Sequence, residues 1–141
     1  MKDFDFFLTT NAVKKQHPDL HLAQATARES LDRLEMAKSI LHSQKPKYAL
    51  ENAYEAMREL IDAILFLQGY KSYSHEASVA YLINLGFSEG ETGQVDRLRK
   101  RRNSIKYYGE DASLKEAKEA VATAEMMITK LFQKKPNLKT K

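Results

Sequence analysis

The chain has 141 residues, a net charge of +4 from 23 basic and 19 acidic side chains, and no cysteine. That length suits one domain with a core of its own. The absence of cysteine excludes disulfide staples and thiolate metal sites, and no apolar run approaches the roughly 20 residues of a membrane span, so a soluble cytoplasmic chain is expected.

Met1 to His17 admits two readings. Phe4, Phe6, Phe7 and Leu8 form either a short helix or a strap against the rest of the chain, because large apolar side chains are costly to leave in water. Acids interrupt this stretch, so it lacks a signal-peptide layout. Pro18 reads as the first position of a helix reaching to about Ser43, with Leu20, Ala27, Leu31, Leu34, Ile40 and Leu41 as its apolar stripe. His17 and His21 stand four apart, a spacing that can hold a metal on a helix. Pro18 puts His17 at or outside the helix start and no third ligand is near, so no metal and no cofactor is expected.

Pro46 opens a second helix, to about Gln68 or Gly69, carrying Ala49, Ala53, Ala56, Met57, Leu60, Ile61, Ile64 and Leu65 at helical spacing. Its run Ala63 to Leu67 is apolar nearly all round, which predicts the most buried helix. Glu55 and Asp62 lie beside its core positions, where either can pair with an inward arginine. Ser74 is an N-cap for a third helix over His75 to Leu85, with Ala77, Val79, Leu82 and Ile83 inside and His75 as a capping or surface residue. Gly86 to Gly93 reads as a loop, and its glycines make no phosphate loop, since no strand precedes them and no Gly-Lys-Ser/Thr follows. Ser88 with Glu91, or Thr92 alone, caps a fourth helix that Gly109 stops. Ser113 with Glu116 caps a last helix to about Gln133, bearing Leu114, Ala117, Ala120, Val121, Ala124, Met127, Ile128 and Leu131.

No stretch shows strand alternation between turn signals. The expectation is therefore all-α: an antiparallel up-and-down bundle of four to five helices, with residues 1–135 as a single domain and 136–141 as a frayed basic tail.

Charge is segregated along the chain. Arg97, Arg99, Lys100, Arg101, Arg102 and Lys106 put +6 on ten residues without an acid, and Lys130, Lys134, Lys135, Lys139 and Lys141 put +5 on the last twelve, which leaves −7 on the rest. The tail reads as solvated charge. The fourth helix reads as a site. At 100° per residue Val95, Leu98 and Ile105 share a face with Arg102, and a buried guanidinium needs a partner or a wet cleft. Asn103 with Tyr107 and Arg102 with Lys106 are i,i+4 pairs on the adjoining surface.

From about Pro46 to Leu131 the chain resembles the HEPN family (higher eukaryotes and prokaryotes nucleotide-binding domains). One block is Tyr54-Glu55-Ala56-Met57-Arg58-Glu59-Leu60, continuing through Leu67-Gln68-Gly69-Tyr70-Lys71 to Ser74-His75. The other is Arg101-Arg102-Asn103-Ser104-Ile105-Lys106-Tyr107-Tyr108-Gly109. Many members of that family are metal-independent RNases in which an Arg, a following polar residue and then a His meet their copies across a homodimer cleft. The resemblance gives Arg102 and Asn103 the first two places and puts Tyr107 where the His would be. A tyrosine is a poor base at neutral pH. Other members bind nucleotides or pair with a minimal nucleotidyltransferase in toxin–antitoxin systems, some carrying a tyrosine just past the His that is modified with AMP. Tyr108 lies one residue before that position.

What the resemblance implies is a homodimeric nucleotide- or RNA-binding module, with Arg99, Arg101, Arg102, Asn103, Lys106, Tyr107 and Tyr108 as contacts and a nucleotidyltransferase as a possible partner protein. Two alternatives stand beside it. One is an endoribonuclease using Arg102 with Tyr107 or Lys106 as catalytic residues. The other is a structural bundle in which Arg102 pairs internally with Glu55 or Asp62.

Overall fold

The computed structural model describes residues 1–139, so the expectation for Lys141 lies outside the described residues. The chain is all-α, with one small exception. Among the described residues six α-helices run in the order α1 (Phe4–Thr9), α2 (Leu20–His42), α3 (Pro46–Gln68), α4 (His75–Asn84), α5 (Glu89–Tyr108) and α6 (Leu114–Lys134). Two three-residue strands, β1 (Val13–Lys15) and β2 (Tyr70–Ser72), pair antiparallel between them, with Val13 opposite Ser72 and Lys14 opposite Lys71.

The spine is α3. Its Ala49, Leu50, Ala53, Tyr54, Ala56, Met57, Leu60, Ile61, Ala63, Ile64 and Leu65 are all buried, as the apolar run predicts. Alanines let the backbones come close. On α2 the buried seam is Ala23, Ala27, Ser30, Leu34 and Ala37, against the alanine-rich face of α3. Next to α2, and packed on both it and α3, lies α6, burying Ala117, Ala120, Val121, Ala124, Met127, Ile128 and Leu131. The turn Ser43–Lys45 returns the chain antiparallel from α2 into α3, and α4 and α5 close the remaining side.

Several boundaries differ from the sequence reading. Asp19, not Pro18, begins α2: its carboxylate accepts the Leu22 N–H at 3.0 Å. Leu20, expected inside, is therefore exposed in the first turn, and His17 lies outside the helix. Gly90 and Gly93 are helical, because the Ser88–Glu91 capping box starts α5 earlier than glycine content suggests. The N-terminal stretch is the short helix, with Phe4 and Phe7 buried; Phe4 packs edge-on to Tyr70 at 5.3 Å between ring centres. Ile83 and Leu114, placed in the core by their spacing, are exposed. The segment after α6 is not frayed at its start, since Pro136–Leu138 makes a 3-10 turn that buries Leu138. Among the described residues no helix is long and apolar enough to cross a membrane.

Candidate functional site

Two reciprocal bonds fix the start of α5. The Ser88 hydroxyl accepts the Glu91 N–H at 3.0 Å and the Glu91 carboxylate accepts the Ser88 N–H at 3.0 Å. Lys130 of α6 donates to the same carboxylate at 2.7 Å, and with the Ser88 N–H it pulls the Glu91 pKa down to about 2. The far end stops at Gly109, which takes the left-handed φ of 67° that a side chain would resist. Between these ends α5 buries Thr92, Val95, Asp96, Arg102 and Ile105, while Leu98 is half-buried. The inward arginine is therefore real: Arg102 is 5% exposed.

Its partner is on the spine. The Arg102 guanidinium lies 2.9 Å from Glu55 Oε1, and Glu55 Oε2 accepts from Arg58 at 2.7 Å. Arg58 donates in turn to Asp62 at 2.6 Å, and Asp62 accepts the Ser78 hydroxyl at 2.6 Å. Glu55, Arg58 and Asp62 fall at i, i+3 and i+7, one stripe of α3 facing α4 and α5. Of the two carboxylates expected for an inward arginine, Glu55 takes Arg102 and Asp62 takes Arg58. Burial by itself raises the Glu55 carboxyl, but the Arg58 hydrogen bond and the charges of Arg58 and Arg102 more than reverse that, so Glu55 stays ionised. Burial wins at Asp62, whose pKa is raised despite Ser78 and Arg58.

Aromatic groups complete the cluster. The Arg102 guanidinium sits 5.9 Å from the Tyr54 ring centre and 6.0 Å from that of Tyr107, and donates to the Asn103 side-chain oxygen at 3.1 Å. The Tyr54 hydroxyl lies 3.3 Å from His75 Nδ1. Burial pushes the Tyr54 phenol well above its ordinary range. Burial, and then the positive charge of Arg58, push His75 down, with Arg102 and Arg99 acting the same way and Glu55 opposing. The His75 imidazole is thus neutral near pH 7.

The structure brings Arg102, Asn103 and Tyr107 together and holds the other cations apart. Arg99 is tied to Asp96 at 2.7 Å. Arg101 is tied to Glu116 at 2.8 Å, to Glu110 at 2.9 Å and to the Asp111 carbonyl. Lys106, Tyr107 and Tyr108 face solvent. His75 is the member the sequence reading missed. The signal was the polar stripe of α3 beside Tyr54, which demands facing groups from the next helix. A cleft of about 550 Å³ lies elsewhere, where Lys2 and Asp3 meet α4 and the first half of α5; it is lined by Thr92, Asp96, Arg97 and Lys100, not by Arg102.

A family model described as HEPN domain matches residues 23–135. The chain belongs to the HEPN family. The match takes in all but the first turn of α2 and everything from there to the end of α6, including Arg102 and its partners, and begins after α1 and β1. HEPN domains are commonly tied to nucleotides and RNA. No curated protein matches the chain.

Proposed function

We propose that this HEPN domain is a homodimeric binding module for single-stranded RNA or a nucleotide, with the C-terminal end of α5 as its contact surface. One observation carries the reading. Tyr107 and Tyr108 are 65% and 80% exposed, and the Lys106 ammonium lies 5.9 Å from the Tyr107 ring. Exposed ring faces stack bases whatever their sequence, and adjacent ammonium groups meet phosphates. Arg102 lies against the inner side of Tyr107 and is itself held by the Asn103 side-chain oxygen; Arg99 and Arg101 brace the helix through carboxylate partners. A second copy facing this end doubles the basic, aromatic surface and forms a cleft.

Fluorescence anisotropy with an oligouridine of roughly 12 nucleotides tests the reading. Binding is expected at low salt and falls steeply as salt rises. Replacing Lys106 by Gln and Tyr107 by Ala together lowers the affinity by about tenfold, since one stacked base and one phosphate contact go. Light scattering gives about twice the monomer mass of 16.2 kDa. No binding at about 50 mM salt, or binding unchanged in the double variant, refutes the proposal.

A second reading, a metal-independent endoribonuclease, draws its support from His75 rather than from Tyr107 or Lys106. When Nδ1 carries the proton and donates to the Tyr54 oxygen, Nε2 is left to accept a proton from a ribose 2′-hydroxyl. Attack of that oxygen on phosphorus then breaks the bond to the 5′ oxygen, which takes up a proton from water to leave as a hydroxyl, and the other fragment ends in a 2′,3′-cyclic phosphate.

A further inference from the structure

The β1–β2 ribbon places two like charges where a sheet normally avoids them. Lys14 and Lys71 are directly opposed in the antiparallel pair, and both are exposed. Lys71 and Tyr73 stand two apart, so they share one face of the ribbon. Both ammonium groups converge on the same ring: Lys14 Nζ lies 5.5 Å and Lys71 Nζ 5.4 Å from the Tyr73 centre. The lysine ion pairs among the described residues fall on Lys38, Lys100 and Lys130, so neither ribbon lysine has a carboxylate. Opposed like charges cost a sheet stability, and a strand of three residues has little to spare. The Tyr73 ring, 62% exposed, offsets part of that cost by attracting both cations. What the arrangement offers in return is a pair of ammonium groups held side by side at the surface.

We propose that Lys14, Lys71 and Tyr73 form a second phosphate-contacting site, which takes the phosphodiester backbone of the same single-stranded RNA that meets the end of α5. The inference rests on the RNA reading and extends its footprint. Continuity favours RNA over a separate small anion. Two residues beyond Tyr73 is His75, bonded to Tyr54; Arg102 lies over Tyr54 and under Tyr107. Half-buried His75 and the buried Tyr54 and Arg102 thus form one row of contacts running from the end of the ribbon to the inner side of exposed Tyr107. Lys14 stands before the first residue of the family match, while Lys71 and Tyr73 lie within it, so the ribbon pair joins a residue from outside the match to two from inside.

The test separates the ribbon from α5. Lys14→Gln with Lys71→Gln is compared with wild type and with the Lys106 and Tyr107 double variant, using the same oligouridine across a salt series. Loss of two phosphate contacts makes the slope of log affinity against log salt shallower by about 1.4 and weakens binding by about fivefold to tenfold at low salt. Lys71→Glu supplies an independent arm. It turns the opposed pair into an attractive one, so it raises the thermal midpoint while weakening RNA binding. Wild-type affinity and slope in the ribbon variant, with binding still lost in the α5 variant, overturn the inference and leave the RNA reading standing. A lowered midpoint in Lys71→Glu removes its physical basis. Absence of RNA binding in wild type overturns both.

Discussion

Replacing Arg102 by Ala measures how far its ion pair holds α5 to the spine. The side chain is 5% exposed, and it loses a contact of 2.9 Å to Glu55, a hydrogen bond of 3.1 Å to Asn103 and its place over the Tyr54 ring. Removing one member of a buried pair costs about 3–5 kcal/mol when the other is left alone. Glu55 is not left alone, because Arg58 still holds it at 2.7 Å. The charge-assisted contact, about 1.5–3 kcal/mol, then sets the scale, with part of a cation–π contribution added. The expected loss is about 2–3 kcal/mol, or a fall in midpoint of roughly 6–9 °C for a domain of this size. Thermal and urea unfolding followed by circular dichroism read it out. Glu55→Gln and the double variant complete a cycle with a coupling of about 1–2 kcal/mol. A loss below about 0.5 kcal/mol, or additive single effects, refutes the internal tie.

Two other outcomes follow from the same cluster. Because the folded His75 pKa is depressed, the unfolded chain protonates first as pH falls; stability is full above about pH 6.5 and declines as pH passes down through the folded value. Midpoints measured down from neutral pH should fall less steeply in His75→Gln than in wild type; Glu59 and Asp62, whose raised pKa values act with opposite sign, remain in both, and equal slopes would refute the assignment. Incubated with unstructured RNA and EDTA near pH 7, the protein leaves the RNA intact, since Arg102 is buried and engaged by Glu55; rapid cleavage lost in both Arg102→Ala and His75→Gln would make it a nuclease.

The helices were legible wherever periodicity ran long or a cap stood at the start. Buried positions on α3 and α6 repeat at helical spacing, and Ser74, Ser88 and Ser113 each accept the backbone N–H that a cap should. The inward Arg102 was legible too, because one cation interrupts an apolar stripe. The ribbon was not. Val13 to Lys15 is too short to show alternation, and its partner follows α3, so only tertiary contact selects the pairing. His75 was hidden for a similar reason: its N-terminal position on α4 suggested a surface residue, while its environment comes from Tyr54 on another helix. Gly90 and Gly93 misled because intrinsic propensity is a weak guide once a capping box and Lys130 fix the helix start.

The row Asp62, Arg58, Glu55 and Arg102 alternates in sign and sums to zero. A neutral row has a field that dies away within a few ångströms, well inside the roughly 8 Å screening length of physiological salt. It cannot guide an anion diffusing toward the protein. In the proposed RNA complex that task falls to exposed ammonium groups such as Lys14, Lys71 and Lys106, which would set encounter rates and their dependence on ionic strength. Arg102 can influence only a partner that has already arrived, so its contribution belongs to residence time rather than to capture.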